Sequence, residues 1–386
     1  MKWETVRIGD CCDITSSKRI FYSEYVESGV PFYRSKEIIE RSQGQPISEP
    51  LYISEEKYKE INEKYGVPSA GDMLLTSVGT IGIPYIVKAD DRFYFKDGNL
   101  TWFRFFDERL SSRFLYYWIN SSEGYGVLNN TTIGSSQKAL TISALKLIEI
   151  PLPPAEKQKR IVNILSSYDD LIENNQKQIK LLEEAAQRLY KEWFIDLRFP
   201  GHESTPIHDG IPEGWALGTL GQIAEFKRGQ TITKAQVQEG TVPVVAGGLE
   251  PAYYHNVPNT KGPVITVSGS GANAGFCRLY HVDIFASDCS FADSRATSYL
   301  EYVFCTLREI KTELRGMQKG SAQPHVYAKD INALSVLLPE KMILTMFCEM
   351  TSQILNRVGV LDKQNSQLSE ARDRLLPKLM SGEIEV

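Results

Sequence analysis

Glu184-Ala185-Ala186-Gln187-Arg188-Leu189 returns further along the chain as Glu370-Ala371-Arg372-Asp373-Arg374-Leu375, and the match extends well beyond these six positions. At the same offset of 186 residues Gly134-Ser135-Ser136-Gln137 meets Gly320-Ser321-Ala322-Gln323, Leu152-Pro153 meets Leu338-Pro339, and Lys177-Gln178 meets Lys363-Gln364. Residues 134–194 fall on 320–380 without a gap. A repeat of this length outranks any short motif, because each copy is a unit that must fold in the same way. The fronts of the two halves agree more loosely and at another offset. Trp3 and Ile8-Gly9 correspond to Trp215 and Leu220-Gly221. Leu75-Thr76-Ser77, followed by Gly79 and Gly82, is set against Thr266-Val267-Ser268, followed by glycines ending at Gly275. Insertions therefore lie in the fronts, and unlike fronts on alike backs suggest one scaffold with two specificities.

After Pro154 apolar residues recur in alternating steps of four and three: Ile161, Leu165, Tyr168, Ile172, Asn175, Ile179, Leu182, Ala186, Leu189, Trp193. The second copy runs Phe347, Thr351, Ile354, Val358, Leu361, Asn365, Leu368, Arg372, Leu375, Leu379. This rhythm is a coiled-coil seam with polar interruptions. If the two helices pair antiparallel, end against end, facing residue numbers sum to 540 and Asn175 meets Asn365. A buried amide that finds an amide partner fixes register, whereas a slipped register sets it against an apolar side chain. A helix of this kind spans roughly 50 Å at 1.5 Å per residue, enough to separate two readers by about one DNA turn of roughly 34–36 Å. The other use of such helices is plain dimerisation.

Between the copies, the stretch from Phe199-Pro200-Gly201 to Ile211-Pro212-Glu213-Gly214 is rich in Pro and Gly and reads as a linker. Candidate strands are 72–78, 85–88, 100–106, 242–246 and 264–268, and helices are expected over 54–64, with Ser54 as N-cap, and over 112–120. Each front is thus an α+β domain with a twisted, mostly antiparallel sheet. The expected organisation is a first head over 1–150, a helical spacer over 151–197, a linker over 198–213, a second head over 214–338 and a second spacer over 339–386.

The chain has 386 residues, 42% of them hydrophobic and 24% charged, which supports two or three domains with real cores. Apolar runs such as 161–165 are far short of a membrane span. The stretch beginning Met1-Lys2-Trp3-Glu4-Thr5 lacks the apolar run of an export signal, so export is not expected. Six cysteines without a CxxC pair fit a reducing cytoplasm. The net charge of −5 argues mildly against a free-standing nucleic-acid binder, so much of any grip on DNA is expected from partner subunits.

Together these residues resemble the specificity subunit of type I restriction–modification systems, over nearly the whole chain. The resemblance rests on Gly71-Asp72-Met73-Leu74-Leu75-Thr76-Ser77 with Gly79-Thr80-Ile81-Gly82, on Gly134-Ser135-Ser136-Gln137-Lys138, and on Ile150-Pro151-Leu152-Pro153-Pro154 with Glu156-Lys157-Gln158. Leu189-Tyr190, Trp193-Phe194, Arg198-Phe199-Pro200, Ile211-Pro212 and Gly214-Trp215 complete it. It implies two target-recognition domains separated by two long helices in an antiparallel coiled coil, arranged as a pseudo-two-fold internal repeat. It further implies a bipartite double-stranded DNA target with a fixed spacer. Its partners would be two adenine N6-methyltransferase subunits using S-adenosylmethionine, and motor subunits that hydrolyse ATP and restrict unmodified DNA. The second copy departs from the pattern at Leu338-Pro339-Glu340-Lys341 and at Ser268-Gly269-Ser270-Gly271.

No catalytic site is expected. Gly269, Gly271 and Gly275 miss the GxGxxG spacing, no GxxxxGK[ST] or [ND]-P-P-[FYW] occurs, and Cys277, His281 and Cys289 lack a fourth metal ligand at a usual spacing. Reading DNA needs amide or guanidinium groups on loops that enter a groove, and cations for phosphates. The candidates in the first half are Lys18, Arg19, Arg34, Lys36, Ser77, Thr80, Gln137 and Lys138; in the second they are Lys227, Arg228, Lys234, Asn273, Gln323 and His325. Lys180, Glu184, Arg188 and Lys191, outside the seam, are candidate docking positions. The rival expectation is a duplicated protein–protein scaffold.

Overall fold

The computed structural model describes residues 3–134, 138–316 and 325–386, so Gln137 and Gln323 lie outside the described residues. The chain divides into two compact units, Met1–Glu173 with Ser366–Val386, and Asn174–Asn365.

In the first unit Glu4–Arg7 pairs antiparallel with Glu149–Leu152, tying the front of the chain to the start of its rear. Four strands then form a sheet in the order Asp13–Thr15, Leu100–Arg104, Met73–Thr76, Pro84–Ile86. Side chains alternate faces along a strand, and this decides the cores. Phe103 packs into the cluster of Phe114, Trp118 and Leu165, whereas Leu100 and Trp102 point into a second cluster with Tyr33 and Phe95. A second sheet has the order Tyr25–Val26, Leu51–Ile53, Val30–Tyr33, Tyr94–Phe95, its last pair parallel. The helix Glu55–Tyr65 starts at Ser54, whose hydroxyl accepts from Lys57 N–H, and Ser112–Asn120 is helical as expected.

The second unit repeats this plan with other residues. Ala216–Thr219 pairs with Ser335–Leu338. Its four-stranded sheet has the order Lys227–Arg228, Cys289–Asp293, Val264–Ser268, Cys277–Tyr280. Beside it, Tyr253–His255, Val242–Val245 and Phe285–Ala286 form a three-stranded sheet, again with one parallel pair. The stretch expected as a linker is ordered: Phe199 is buried with its ring 4.7 Å from Trp215, and Ile207–His208 pairs with Ile211–Pro212. Apolar anchors at both ends of a Pro/Gly-rich segment gave it a place to pack.

The long helices are Ala155–Tyr190, of 36 residues, and Lys341–Met380, of 40. Within each unit their segments run antiparallel. In the first, Ile161 and Leu165 share a core with Leu376 and Leu379. In the second, the Trp193 ring lies 5.8 Å from Phe347, near the opposite ends of the two helices. Every seam position is buried or half-buried, and each fully buried Leu or Ile contributes about 1.5–3 kcal/mol. The first helix passes into a π turn at Lys191–Ile195, and the repeat equivalent of Lys191 is Pro377, inside the second helix.

Candidate nucleic-acid interface

Turns rich in glycine stand at one end of each four-stranded sheet, and several of the candidate residues gather there. In the first head the strand Met73–Thr76 turns back through Gly79 and Gly82, whose φ angles of +77° and +80° suit a residue without Cβ. Gly82 N–H donates to Thr76 O at 2.8 Å, Ser77 N–H to Asn99 O at 2.8 Å, and Leu140 N–H to Ser77 O at 2.8 Å. The last bond, with a bridge between Val78 and Ala139, draws the rear Gly/Ser/Gln loop onto the hairpin. The second head repeats the three bonds: Gly275 N–H to Ser268 O at 2.9 Å, Gly269 N–H to Asp288 O at 3.3 Å, and Val326 N–H to Gly269 O at 3.0 Å. Ser270 bridges His325 as Val78 bridges Ala139. Thr76 is therefore equivalent to Ser268, one residue away from the match read from sequence, which set Ser77 against Ser268. Both strands are buried on both faces and carry no alternation to fix their register, so a one-residue slip leaves no trace in the sequence and only the ladder decides.

Lys18 and Arg19 follow the strand Asp13–Thr15 at this same end. Lys18 is exposed, its N–H donates to the Tyr94 hydroxyl at 2.7 Å, and its Nζ lies 4.6 Å from the Tyr65 ring centroid. Arg19 pairs with Asp97 at 2.9 Å. Thr80 is exposed at the hairpin tip, and Lys138 is exposed on the rear loop. In the second head Lys227 and Arg228 are exposed on the edge strand, without an ion pair among the described residues. Asn273 is half-buried in the glycine loop, where its carbonyl accepts from Phe276 N–H at 2.9 Å. The His325 ring stacks on Tyr327, centroids 5.8 Å apart. Lys234 is exposed on the separate turn Lys234–Gln236.

Three candidates are placed differently from the expectation. Ser77 is 2% exposed, its hydroxyl donating to Leu75 O and sharing a 2.7 Å bond with Thr101, so the residue that opens the loop belongs to the sheet interior. Arg34 is bound to the buried Glu37 at 2.5 Å and to Glu49 at 3.5 Å, and Lys36 to Glu49 at 3.1 Å, so their charges are compensated within the head. Sequence reading also missed several residues. Lys64, Tyr65, Trp102 and Arg104, together with the candidate Lys18, line a polar recess of about 300 Å³. Burial raises the Asp72 carboxyl above the usual carboxylate range, although it accepts from Trp102 Nε1 at 2.8 Å. Asn99 and Asp288 occupy one position in two heads; nothing short of the paired ladders would have aligned them.

The helices carry their own polar layer. Asn175 Nδ2 donates to Asn365 Oδ1 at 2.9 Å, within the second unit. In the first unit Arg372 reaches Asp169 at 2.7 Å, and the Tyr117 hydroxyl donates to the other oxygen of Asp169 at 2.5 Å, pinning the head helix Ser112–Asn120 to both long helices. Burial and the adjoining carboxylate push the Tyr117 phenol up. In the second unit His281 packs on Gly359, where an added Cβ would come within 2.4 Å of the ring, and burial lowers its pKa. Among the described residues no cluster of metal-ligating side chains occurs, and no helix is long and apolar enough to cross a membrane.

Comparison with known proteins agrees with this duplicated plan. The model of the type I restriction modification DNA specificity domain matches residues 1–184 and again 212–370. The chain is 27% identical to the specificity subunit of the type I restriction enzyme MjaIX of Methanocaldococcus jannaschii, over 100% of this chain and 94% of the relative. A putative type I specificity subunit of Mycoplasma pneumoniae is 23% identical over 89% of this chain and 93% of its own length. The crystal structure of the S subunit of a type I restriction–modification system from M. genitalium has the same fold, with a TM-score of 0.58, 19% identity, and 98% and 96% of the two chains covered. The chain belongs to the family of type I restriction–modification specificity subunits.

Proposed function

We propose that this chain is the non-catalytic DNA-reading subunit of a type I restriction–modification complex, in which each head contacts one half of a bipartite target. The observation that carries this reading is the shared loop frame. Two heads of different sequence hold the same three backbone hydrogen bonds around a glycine hairpin and bring exposed Lys or Arg side chains to the same end of the sheet. A common frame with unlike side chains suits two readers of unlike half-sites. The long helices, about 54 Å for 36 residues, would set the spacer, with the Asn175–Asn365 pair holding their register.

The proposed docking face for methyltransferase subunits is the outer side of the repeated helices. Glu184, Ala185 and Arg188, with Glu370, Ala371 and Arg374, lie outside the seam and are exposed or half-exposed. Identity at exposed positions of two copies has no explanation in the core and fits one kind of partner bound twice. S-adenosylmethionine and ATP chemistry would then reside on the partners. Methylome sequencing of the host with and without the gene tests the reading. A bipartite methyl-adenine motif should disappear on deletion; its persistence would favour a protein–protein scaffold.

A further inference from the structure

Inside the shared loop frame one position changes chemistry between the heads. It is the residue whose carbonyl accepts from the first loop N–H: Asn99 in the first head and Asp288 in the second. Both stand immediately before the central strand, Leu100–Arg104 or Cys289–Asp293, and both are half-buried. The backbone around them is tied the same way, so the side chains leave the chain from matching points. The Asn99 amide has no hydrogen-bond partner among the described residues, although its backbone carbonyl accepts from Ser77 N–H and from Ser35 Oγ. The Asp288 carboxylate accepts from Ser270 Oγ through Oδ2, and its Oδ1 lies beside Gly269, 3.6 Å from where a Cβ would be. One oxygen is thus held and the other left over. Gly79 and Gly271 have nothing within 4 Å of an added Cβ, so the loop leaves room for a ligand to approach the backbone.

We infer that Asn99 and Asp288 are the matched base-reading positions of the two heads, each contacting one base edge in its own half-site. The inference rests on the DNA-reading function proposed above. An amide donates and accepts at once and matches the N6 amino and N7 of adenine in the major groove; a carboxylate only accepts and matches an exocyclic amino group, as on cytosine N4. Asn99 therefore selects adenine in the first half-site. Asp288, pre-aligned by Ser270, selects an amino-bearing base in the second. Loss of such a pair relaxes discrimination roughly ten- to hundred-fold at that position.

The test places the variants Asn99→Asp, Asn99→Ser and Asp288→Asn at the native locus, with all partner subunits present, and reads the methylated motif genome-wide. Asn99→Asp and Asn99→Ser should each change or relax one base of the first half-site and leave the second intact; Asp288→Asn should do the reverse. A motif unchanged in all three variants overturns the inference. Ser270→Ala, which frees the carboxylate without removing it, should relax the same base less than Asp288→Asn does; a change at any other position of the motif also overturns the inference. Loss of all methylation in Asn99→Asp is resolved by Asn99→Ser, which adds no charge; total loss in both, with the purified chain still folded by circular dichroism, also counts against it. Failure of the underlying reading is distinguishable, since the wild-type host would then show no motif that depends on this chain.

Discussion

Between Asp13–Thr15 and Met73–Thr76 the first head builds two α-helices, Ser35–Ser42 and Glu55–Tyr65, three short strands and one turn of 3-10 helix; between Lys227–Arg228 and Val264–Ser268 the second builds two strands and one turn of 3-10 helix. The added elements give the first head a cluster of its own, Ile20, Val30, Phe32, Ile53, Ile61 and Tyr94. The second fills its flank with Val245, Val264, Tyr280 and Ile284. Yet the four-stranded order and the loop frame are the same in both. Variation is therefore loaded onto the flanking layer, and the sheet end that presents the loops does not depend on it. A fold arranged in this way can change what it reads without rebuilding how it presents it.

The largest test of that contrast is an exchange of residues 1–150 for those of a related chain. One half of the methylated motif should be replaced entirely and the other retained; a change in both halves, or in neither, breaks the two-reader comparison. Adding one heptad to both long helices lengthens each by about 10.5 Å, so the spacer should grow by about three base pairs while both half-sites stay as they are. Methylome sequencing reads both outcomes.

Smaller effects sharpen the comparison of the two stalk segments. Asp169 of the first copy corresponds to Leu355 of the second, which is 1% exposed. Asp169→Ala should cost about 2–3 kcal/mol, because Tyr117 and Arg372 lose a charged acceptor together; calorimetry should show the loss in the first unit alone. Asn175→Leu should cost about 1–3 kcal/mol by leaving the Asn365 amide facing an apolar side chain, and adding Asn365→Leu should recover most of it. A double variant as unstable as the single one would show that the amides are not coupled.

The smallest effect concerns acid. All five histidines, at positions 202, 208, 255, 281 and 325, lie in the second unit. Burial lowers the His281 pKa below its ordinary 6.5, so the unfolded state binds the proton more readily. The contribution of neutral His281 is complete above pH 6.5 and is lost as the pH falls below that value. His281→Gln should flatten this acid-side loss of stability in the second unit and leave the first unchanged, as followed by thermal melts between pH 5 and 7.5.

Much of the frame was legible because its signals are periodic. The four-three rhythm placed both long helices, Ser54 marked the start of one head helix, and a second was expected over 112–120. What escaped depends on pairing between distant segments. Two- and three-residue strands such as Tyr25–Val26 or Phe285–Ala286 carry no period of their own. Helix Ser35–Ser42 is set by the contact of Arg34 with the buried Glu37, although Arg34 looked like a free DNA-binding charge in the sequence. Ser77 was drawn into the candidate surface by its glycine neighbours, although its hydroxyl faces Thr101. Charge and composition show what a side chain can do; the ladder decides which way it points.

The π turn at Lys191–Ile195 and Pro377 mark one repeat position, at which the first long helix leaves α geometry and the second carries a residue without a backbone N–H, and Trp193, Phe194, Leu379 and Met380 beyond it are all buried. Residues inserted past that position would rotate these anchors out of their sockets, whereas whole heptads inserted upstream return every side chain to its face. Over evolutionary time, any length changes within the two helices should fall as whole heptads in their middle, with their ends kept as fixed fittings.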